Sequence, residues 1–244
     1  MMTAATSMAD FAEQVNPSTL AEIRRAGFRQ AARVHGSWLA AGEKRVLVWM
    51  AERLPGWVNS DHLTLIGFAA QIATGVCYAL ARYDRRMLLL AIACLALNWF
   101  GDSLDGTLAR VRQKQRPRYG FYVDHMIDSI GSVVMMGGLA LSGCMSPAIA
   151  IGLLVAFLLL SIQSYLATYT IGEFHLSFWR FGPTELRILL AVGNLALFRW
   201  AWVIHGRYRL FDIGGAIGLA GMSLMLISSS LNNTIRLYRE ERIK

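Results

Sequence analysis

Residues 102–128 read DSLDGTLARVRQKQRPRYGFYVDHMID. Asp102, Asp105, Asp124 and Asp128 stand in this stretch, and the sequence on either side is apolar: LLLAIACLALNWFG (88–101) before it and SIGSVVMMGGLALSG (129–143) after it. A segment that crosses a bilayer should exclude ionised side chains, because each costs about 2.5–3.5 kcal/mol near a helix centre; those that remain are functional candidates. At about 100° per residue, Asp105 lies about 60° round the helix from Asp102, Gly106 about 40° and Ala109 about 20°, so the four share one face. Asp124 and Asp128 form an i, i+4 pair on the next helix. A short basic loop joins the two helices. This predicts antiparallel neighbours with four carboxylates converging at one end.

Six apolar stretches lie near 62–81, 87–108, 121–142, 148–171, 184–204 and 210–233, each close to the ~20 residues that span a bilayer. The connections are too short for a soluble domain. The 244 residues are 55% hydrophobic and 16% charged, with a mean hydropathy of +0.41. Soluble domains carry about 25% charged residues. A disordered chain, a coiled coil and a disulfide scaffold are excluded. Cys77, Cys94 and Cys144 match no zinc or redox spacing and read as small buried hydrophobes.

The net charge is +8, but the cations flank apolar runs instead of forming a soluble basic face, so no nucleic-acid partner is expected. With both termini cytoplasmic, residues 1–61, the loops 109–120 and 172–187 and the C-terminal tail hold 18 of the 24 cations, and the opposite side holds 6. The loop 138–150 holds none. That asymmetry predicts an N-in, C-in bundle of six helices.

Residues 1–36 read as a cytoplasmic N-terminal segment with a helix starting near Pro17. Charges interrupt Ala12–Arg33, so no signal peptide is expected there. Residues 37–56 mix Trp38, Val46, Leu47 and Trp49 with Lys44, Arg45 and Arg53 before Pro55-Gly56. This predicts an amphipathic helix on the membrane surface; a soluble helix packed on a partner is the other reading. Residues 57–244 form the membrane domain. The expected fold is therefore an all-α integral membrane protein, a six-transmembrane-helix bundle preceded by an N-terminal interfacial amphipathic helix.

Four bare carboxylates in a low dielectric repel one another strongly, and hard divalent cations relieve the repulsion. An all-oxygen donor set suits Mg²⁺, Mn²⁺ or Ca²⁺, not zinc or copper. Two such ions would favour phosphoryl transfer by clamping substrate oxygens. Small Gly106 and Ala109 leave room for a ligand. Arg110, with Arg112, Lys114, Arg116 and Arg118 behind it, supplies cations for a phosphate or lipid headgroup. The bland alternative makes the aspartates structural partners of nearby arginines.

The stretch resembles the signature of the CDP-alcohol phosphotransferase (CDP-alcohol phosphatidyltransferase) family, D-x2-D-G-x2-A-R, a short spacer, then G-x3-D-x3-D. Asp102, Asp105, Gly106, Ala109, Arg110, Gly120, Asp124 and Asp128 match it. The resemblance implies an enzyme of phospholipid synthesis that breaks the pyrophosphate of a CDP-linked donor and releases CMP as an acceptor hydroxyl attacks. Asp102, Asp105 and Asp124 would hold one Mg²⁺ or Mn²⁺, and Asp105, Asp124 and Asp128 in some combination a second. Asp128 would be the general base. Gly106, Ala109, Arg110 and Gly120, with Asp102, would line the CDP moiety. The family also implies a homodimer among membrane lipids, with the active site facing the cytoplasm.

Two features resemble the choline and ethanolamine phosphotransferase branch: Asp124-His125-x-x-Asp128 and Gly182-Pro183-Thr184-Glu185. They imply His125 and Glu185 as a pair activating a lipid hydroxyl, since a carboxylate orients an imidazole and raises its basicity. Otherwise His125 donates a structural hydrogen bond and Glu185 caps a helix. The chain is shorter than the eukaryotic members of that branch, which leaves the acceptor open. A CDP-choline- or CDP-ethanolamine-type donor with a diacylglycerol-like acceptor is one pairing. CDP-diacylglycerol with glycerol phosphate, inositol phosphate or serine is the other.

A UbiA-like prenyltransferase also holds Mg²⁺ on aspartates, but its motif is of the N-D-x2-D-x3-D type. A divalent-cation transporter should carry acids along the bilayer, not at one end. Elsewhere, His175 and His205 read as interfacial, and Trp200, Trp202, Tyr208 and Phe211 as an aromatic belt. Asn232-Asn233 read as the end of the last helix, and Gly137-Gly138 and Gly214-Gly215 as close helix contacts.

Overall fold

The computed structural model describes residues 32–34, 40–175, 183–200, 202–203 and 208–242. In chain order the elements are β1 (Ala32–Val34), α1 (Ala40–Arg53), α2 (Ser60–Leu80), α3 (Met87–Val111), α4 (Pro117–Leu141), α5 (Pro147–Thr170), β2 (Glu173–His175), α6 (Pro183–Arg199), β3 (Trp202–Val203), β4 (Tyr208–Arg209) and α7 (Leu210–Glu240). The expected helix near Pro17, together with Phe181, Gly182 and His205, lies outside the described residues.

Helices α2 to α7 occupy the six apolar stretches. Four of them, α2, α3, α5 and α7, are long and apolar enough to cross a membrane. Helix α4 carries Asp124 and Asp128, and α6 is 17 residues long. Several starts follow directly from the residues present. Asn59 caps α2, its side chain accepting from the His62 amide while the His62 ring accepts from the Asn59 amide. Pro117, Pro147 and Pro183 open α4, α5 and α6, positions where a missing N–H removes no helical bond.

Two ends differ from expectation. Helix α7 does not stop at Asn232-Asn233 but runs to Glu240; no glycine or proline follows Gly221, and an Arg236–Glu240 pair supports its last turn. Helix α6 stops at Arg199, five residues before the expected 204, because Trp202–Val203 pairs antiparallel with Tyr208–Arg209.

The expected side-by-side pairing of α3 and α4 is also corrected: α2 packs along both of them, and they do not pack along each other. Glycines permit this. A Cβ on Gly101 of α3 would stand 2.5 Å from the Gly67 nitrogen of α2, and one on Gly138 of α4 would run into the Gly75 carbonyl. Lipid tails are as apolar as leucine, so close packing and polar contacts hold membrane helices together. Gly138 and Gly215 make the close contacts expected of them, whereas Gly137 and Gly214 face open space.

The buried residues form a cluster at each end of the bundle. At one end, Leu47 and Ala51 of α1 pack with Val58, Leu63, Leu104 and Leu108. At the other, Tyr78, Leu88, Ala91, Leu139, Met145, Ala150 and Leu197 meet. Phe211 belongs to this second core against Gly193, not to an aromatic belt, while Trp200 and Tyr208 are exposed. Cys77 is buried and Cys94 and Cys144 are half-buried; all three are free thiols.

Candidate active site

Beside the first core, α2, α3 and α4 enclose a cleft lined by Thr64, Gly67, Phe68 and Gln71 of α2, Asn98, Asp102 and Asp105 of α3, and Asp124, Ile127 and Asp128 of α4. All four aspartates reach it. The acids of α3 and α4 therefore face each other across a floor supplied by α2. One carboxylate oxygen each from Asp102, Asp124 and Asp128 lies within 4.8 Å of the others. Asp105 is held slightly apart: Thr64 Oγ1 donates to its Oδ2 at 2.6 Å, and the Gly106 amide donates to its Oδ1.

Two unit charges about 4 Å apart interact by about 4 kcal/mol at an effective dielectric near 20. Three clustered carboxylates therefore need a counter-charge. Arg187 supplies part of it. Its Nη2 donates to Asp102 Oδ2 at 2.5 Å and its Nε to Asn98 Oδ1 at 2.8 Å, while Asn98 Nδ2 donates to the Gly67 carbonyl at 3.0 Å. The donors are all oxygen, so Asp102, Asp124 and Asp128 fit a hard divalent ion.

The cation distribution places Arg187 in the 172–187 loop. Because α6 starts at Pro183, Arg187 lies inside the helix and is spent on the acid cluster. Four residues after Pro183, on a helix whose first turn carries Glu185, it had one available signal: a cation one turn into an apolar segment. Asn98, Thr64 and Gln71 carried no such signal, being polar residues scattered on apolar helices.

Arg110 is exposed beyond the last turn of the acidic face. Its Nη2 donates to Thr107 Oγ1 at 3.0 Å, and its guanidinium lies beside Gly106. Ala109 is half-buried, and Gly120 is exposed with open space around its Cα. Two of the basic residues behind Arg110 have partners within the fold. Arg112 donates to the backbone carbonyls of Leu54, Pro55 and Val58, which fixes the α1–α2 turn. Arg116 pairs with Asp61.

His125 sits one residue after Asp124. Its Nδ1 lies 2.7 Å from the Phe121 carbonyl and 3.7 Å from Asp124 Oδ2. A carbonyl only accepts, so Nδ1 is the donor there and Nε2 is the ring's acceptor. The ring stacks on Phe121 and meets Tyr165 of α5 edge-on, with centroids 4.1 and 4.8 Å away. The expected structural hydrogen bond is therefore present, and it presets the tautomer that general-base chemistry requires. Glu185 is half-buried in the first turn of α6.

Apolar helices of membrane-spanning length around a cleft of clustered carboxylates define a class: helical membrane proteins whose polar cleft offers all-oxygen donors to a hard cation. The sequence matches the family model "CDP-alcohol phosphatidyltransferase" over residues 57–227, most of the chain and all of the acidic stretch. The chain belongs to that family, whose chemistry is phospho-alcohol transfer in phospholipid synthesis and is typically divalent-metal dependent. No curated protein is a significant match.

Proposed function

We propose that this protein transfers a phospho-alcohol group from a CDP-choline- or CDP-ethanolamine-type donor to the hydroxyl of a diacylglycerol-like lipid, releasing CMP. The observation that supports the transfer chemistry is the cluster of Asp102, Asp124 and Asp128 beside Asp105; the choice of donor and acceptor rests on the Asp124-His125-x-x-Asp128 and Gly182-Pro183-Thr184-Glu185 stretches. The four aspartates would hold two Mg²⁺ or Mn²⁺ ions, which would supply charge neutralisation for the pyrophosphate oxygens and the leaving phosphate.

The chain's own residues do the rest. Asp102, Gly106, Ala109, Arg110 and Gly120 line the path of the CDP moiety, and the Arg110 guanidinium stabilises phosphate oxygens. His125, held at Nδ1 by the Phe121 carbonyl, takes the proton of the acceptor hydroxyl through Nε2, with Glu185 as its partner at the hydroxyl; Asp128 is the alternative base. The leaving phosphate stays on CMP, and the retained phosphorus joins the acceptor oxygen. Residues 57–244 form the transferase domain with six spans. Helix α1, within 37–56, lies on the membrane surface. Both termini and the site face the cytoplasm, in line with the distribution of cations. The protein works as a homodimer among membrane lipids.

The second reading is CDP-diacylglycerol-dependent phosphatidyl transfer to glycerol phosphate, inositol phosphate or serine, which uses the same acids. Two substrate sets separate the readings. Metal-dependent CMP from CDP-choline or CDP-ethanolamine with diacylglycerol supports the first. CMP only from CDP-diacylglycerol with a small alcohol supports the second and reduces His125–Glu185 to structure.

A further inference from the structure

The geometry points to Glu43 of α1 as a positioning residue that fixes the first turn of α6, making the N-terminal helix a working part of the transfer site. The inference rests on the reading above, in which α6 brings Glu185 to the reaction, and on the observed contact of Arg187 with Asp102. Glu43 Oε1 accepts from two donors, Trp99 Nε1 of α3 and Thr184 Oγ1 of α6, each at 2.7 Å. One carboxylate oxygen therefore gathers three helices.

The positions of the donors matter. Trp99 follows Asn98 directly and precedes Asp102 by three residues. Thr184 directly precedes Glu185 and lies three residues before Arg187. Helices α3 and α6 are thus joined by two rungs. Arg187 with Asn98 and Asp102 makes the rung in the cleft, and Trp99–Glu43–Thr184 makes the rung beside it.

Docking of α1 does not explain Glu43. Leu47 and Ala51 already pack it on Leu104 and Leu108, and α1 packs along α3 but not along α6. What Glu43 adds is a grip on α6. Hydrogen bonds to an ionised acceptor are about twice as strong as neutral ones, and two donors on one oxygen set the angle between their helices. A second tie runs in the same direction: β1, just ahead of α1, pairs in parallel with β2, on the chain entering α6. If the grip is lost, Glu185 and Arg187 shift together, and a misplacement of about 1 Å at a reacting centre costs on the order of 100-fold.

The test pairs amide hydrogen exchange with CMP-release kinetics on the full-length protein in lipid nanodiscs. Glu43→Ala and Thr184→Val should each speed exchange over residues 183–190 while leaving 117–141 unchanged. Each should lower kcat roughly 10- to 100-fold, with the KM for the CDP donor nearly constant. The double variant should lose no more than Glu43→Ala alone, since Thr184→Val breaks a bond that Glu43→Ala already removes. Thr184→Ser, which keeps the hydroxyl, should behave as wild type, and Glu43→Gln, which keeps the acceptor oxygen without the charge, should retain clearly more kcat than Glu43→Ala. Unchanged exchange at 183–190 overturns the inference, and so does faster exchange with intact kcat. Thr184→Val carries the test should Glu43→Ala fail to fold. A wild-type protein that releases no CMP from any CDP-linked donor overturns the functional reading instead, and a fully active wild type with unaffected variants overturns only the role of Glu43.

Discussion

Asp102 has a dual role in this structure: it is one of three carboxylates drawn together, and it is the one that Arg187 holds. The Arg187 guanidinium brings positive charge to the cluster through Asp102. Removing it leaves the three acids to repel one another, and removing one partner of a partly buried pair costs more than the pair is worth. Arg187→Ala should therefore lower the melting temperature in metal-free buffer, and millimolar Mg²⁺ should restore more of it than it adds to wild type, because the ion replaces the lost charge. Equal Mg²⁺-dependent shifts in the two proteins would remove Arg187 from the electrostatics of the site. At His125, the Phe121 carbonyl fixes which nitrogen accepts. His125→Ala should reduce turnover by on the order of 100-fold or more while donor binding changes little, general-base catalysis being worth about 10²–10⁴-fold. Parallel loss of both would make the ring a structural part alone. The aspartates were legible in the sequence because their spacing is local, set by helical period. Arg187 was not, because its partners lie 85 and 89 residues away and only the tertiary fold selects them.

At the scale of elements, the helices were largely legible and their neighbours were not. Prolines at 117, 147 and 183 mark three starts, and hydropathy marks the rest. The sequence suggested that a short loop between α3 and α4 makes them partners. Instead α2 wedges between them, because Gly67, Gly75, Gly101 and Gly138 allow backbone-to-backbone approach at two crossings. The consequence for the site is direct: α2 becomes its floor, and Thr64 becomes a partner of Asp105. The two adjacent glycines of α4 provide a matched test. Gly138→Ala places a methyl group against the Gly75 carbonyl and should destabilise the detergent-solubilised protein by about 1–3 kcal/mol, read as a fall in melting temperature. Gly137→Ala enters open space and should melt like wild type. Equal behaviour of the two would contradict the α2–α4 crossing. The end of α7 was misread for another reason. Asparagines read as a stop, but a helix stops only where another interaction takes its backbone, and the Arg236–Glu240 pair continues it.

Over the described residues the molecule is a helical membrane protein with two buried clusters and an acid cleft beside the one that α1 joins. Large apolar side chains such as Leu65, Leu159, Leu189 and Leu224 are exposed along α2, α5, α6 and α7, as the surface of a protein in lipid would be. Within it, the acid cleft is the feature that membership of the CDP-alcohol phosphatidyltransferase family and the geometry share. The measurement that bears most directly on the central claim is CMP release by the purified full-length protein with Mg²⁺. It would be run on wild type and on Asp105→Ala and Asp124→Asn, with folding checked by gel filtration and thermal melting. The account predicts CMP only when a CDP-linked donor, an acceptor and a divalent ion are all present, and loss of that activity in both variants without loss of folded protein. Full CMP release after complete chelation, or full activity in a folded Asp105→Ala protein, would contradict it.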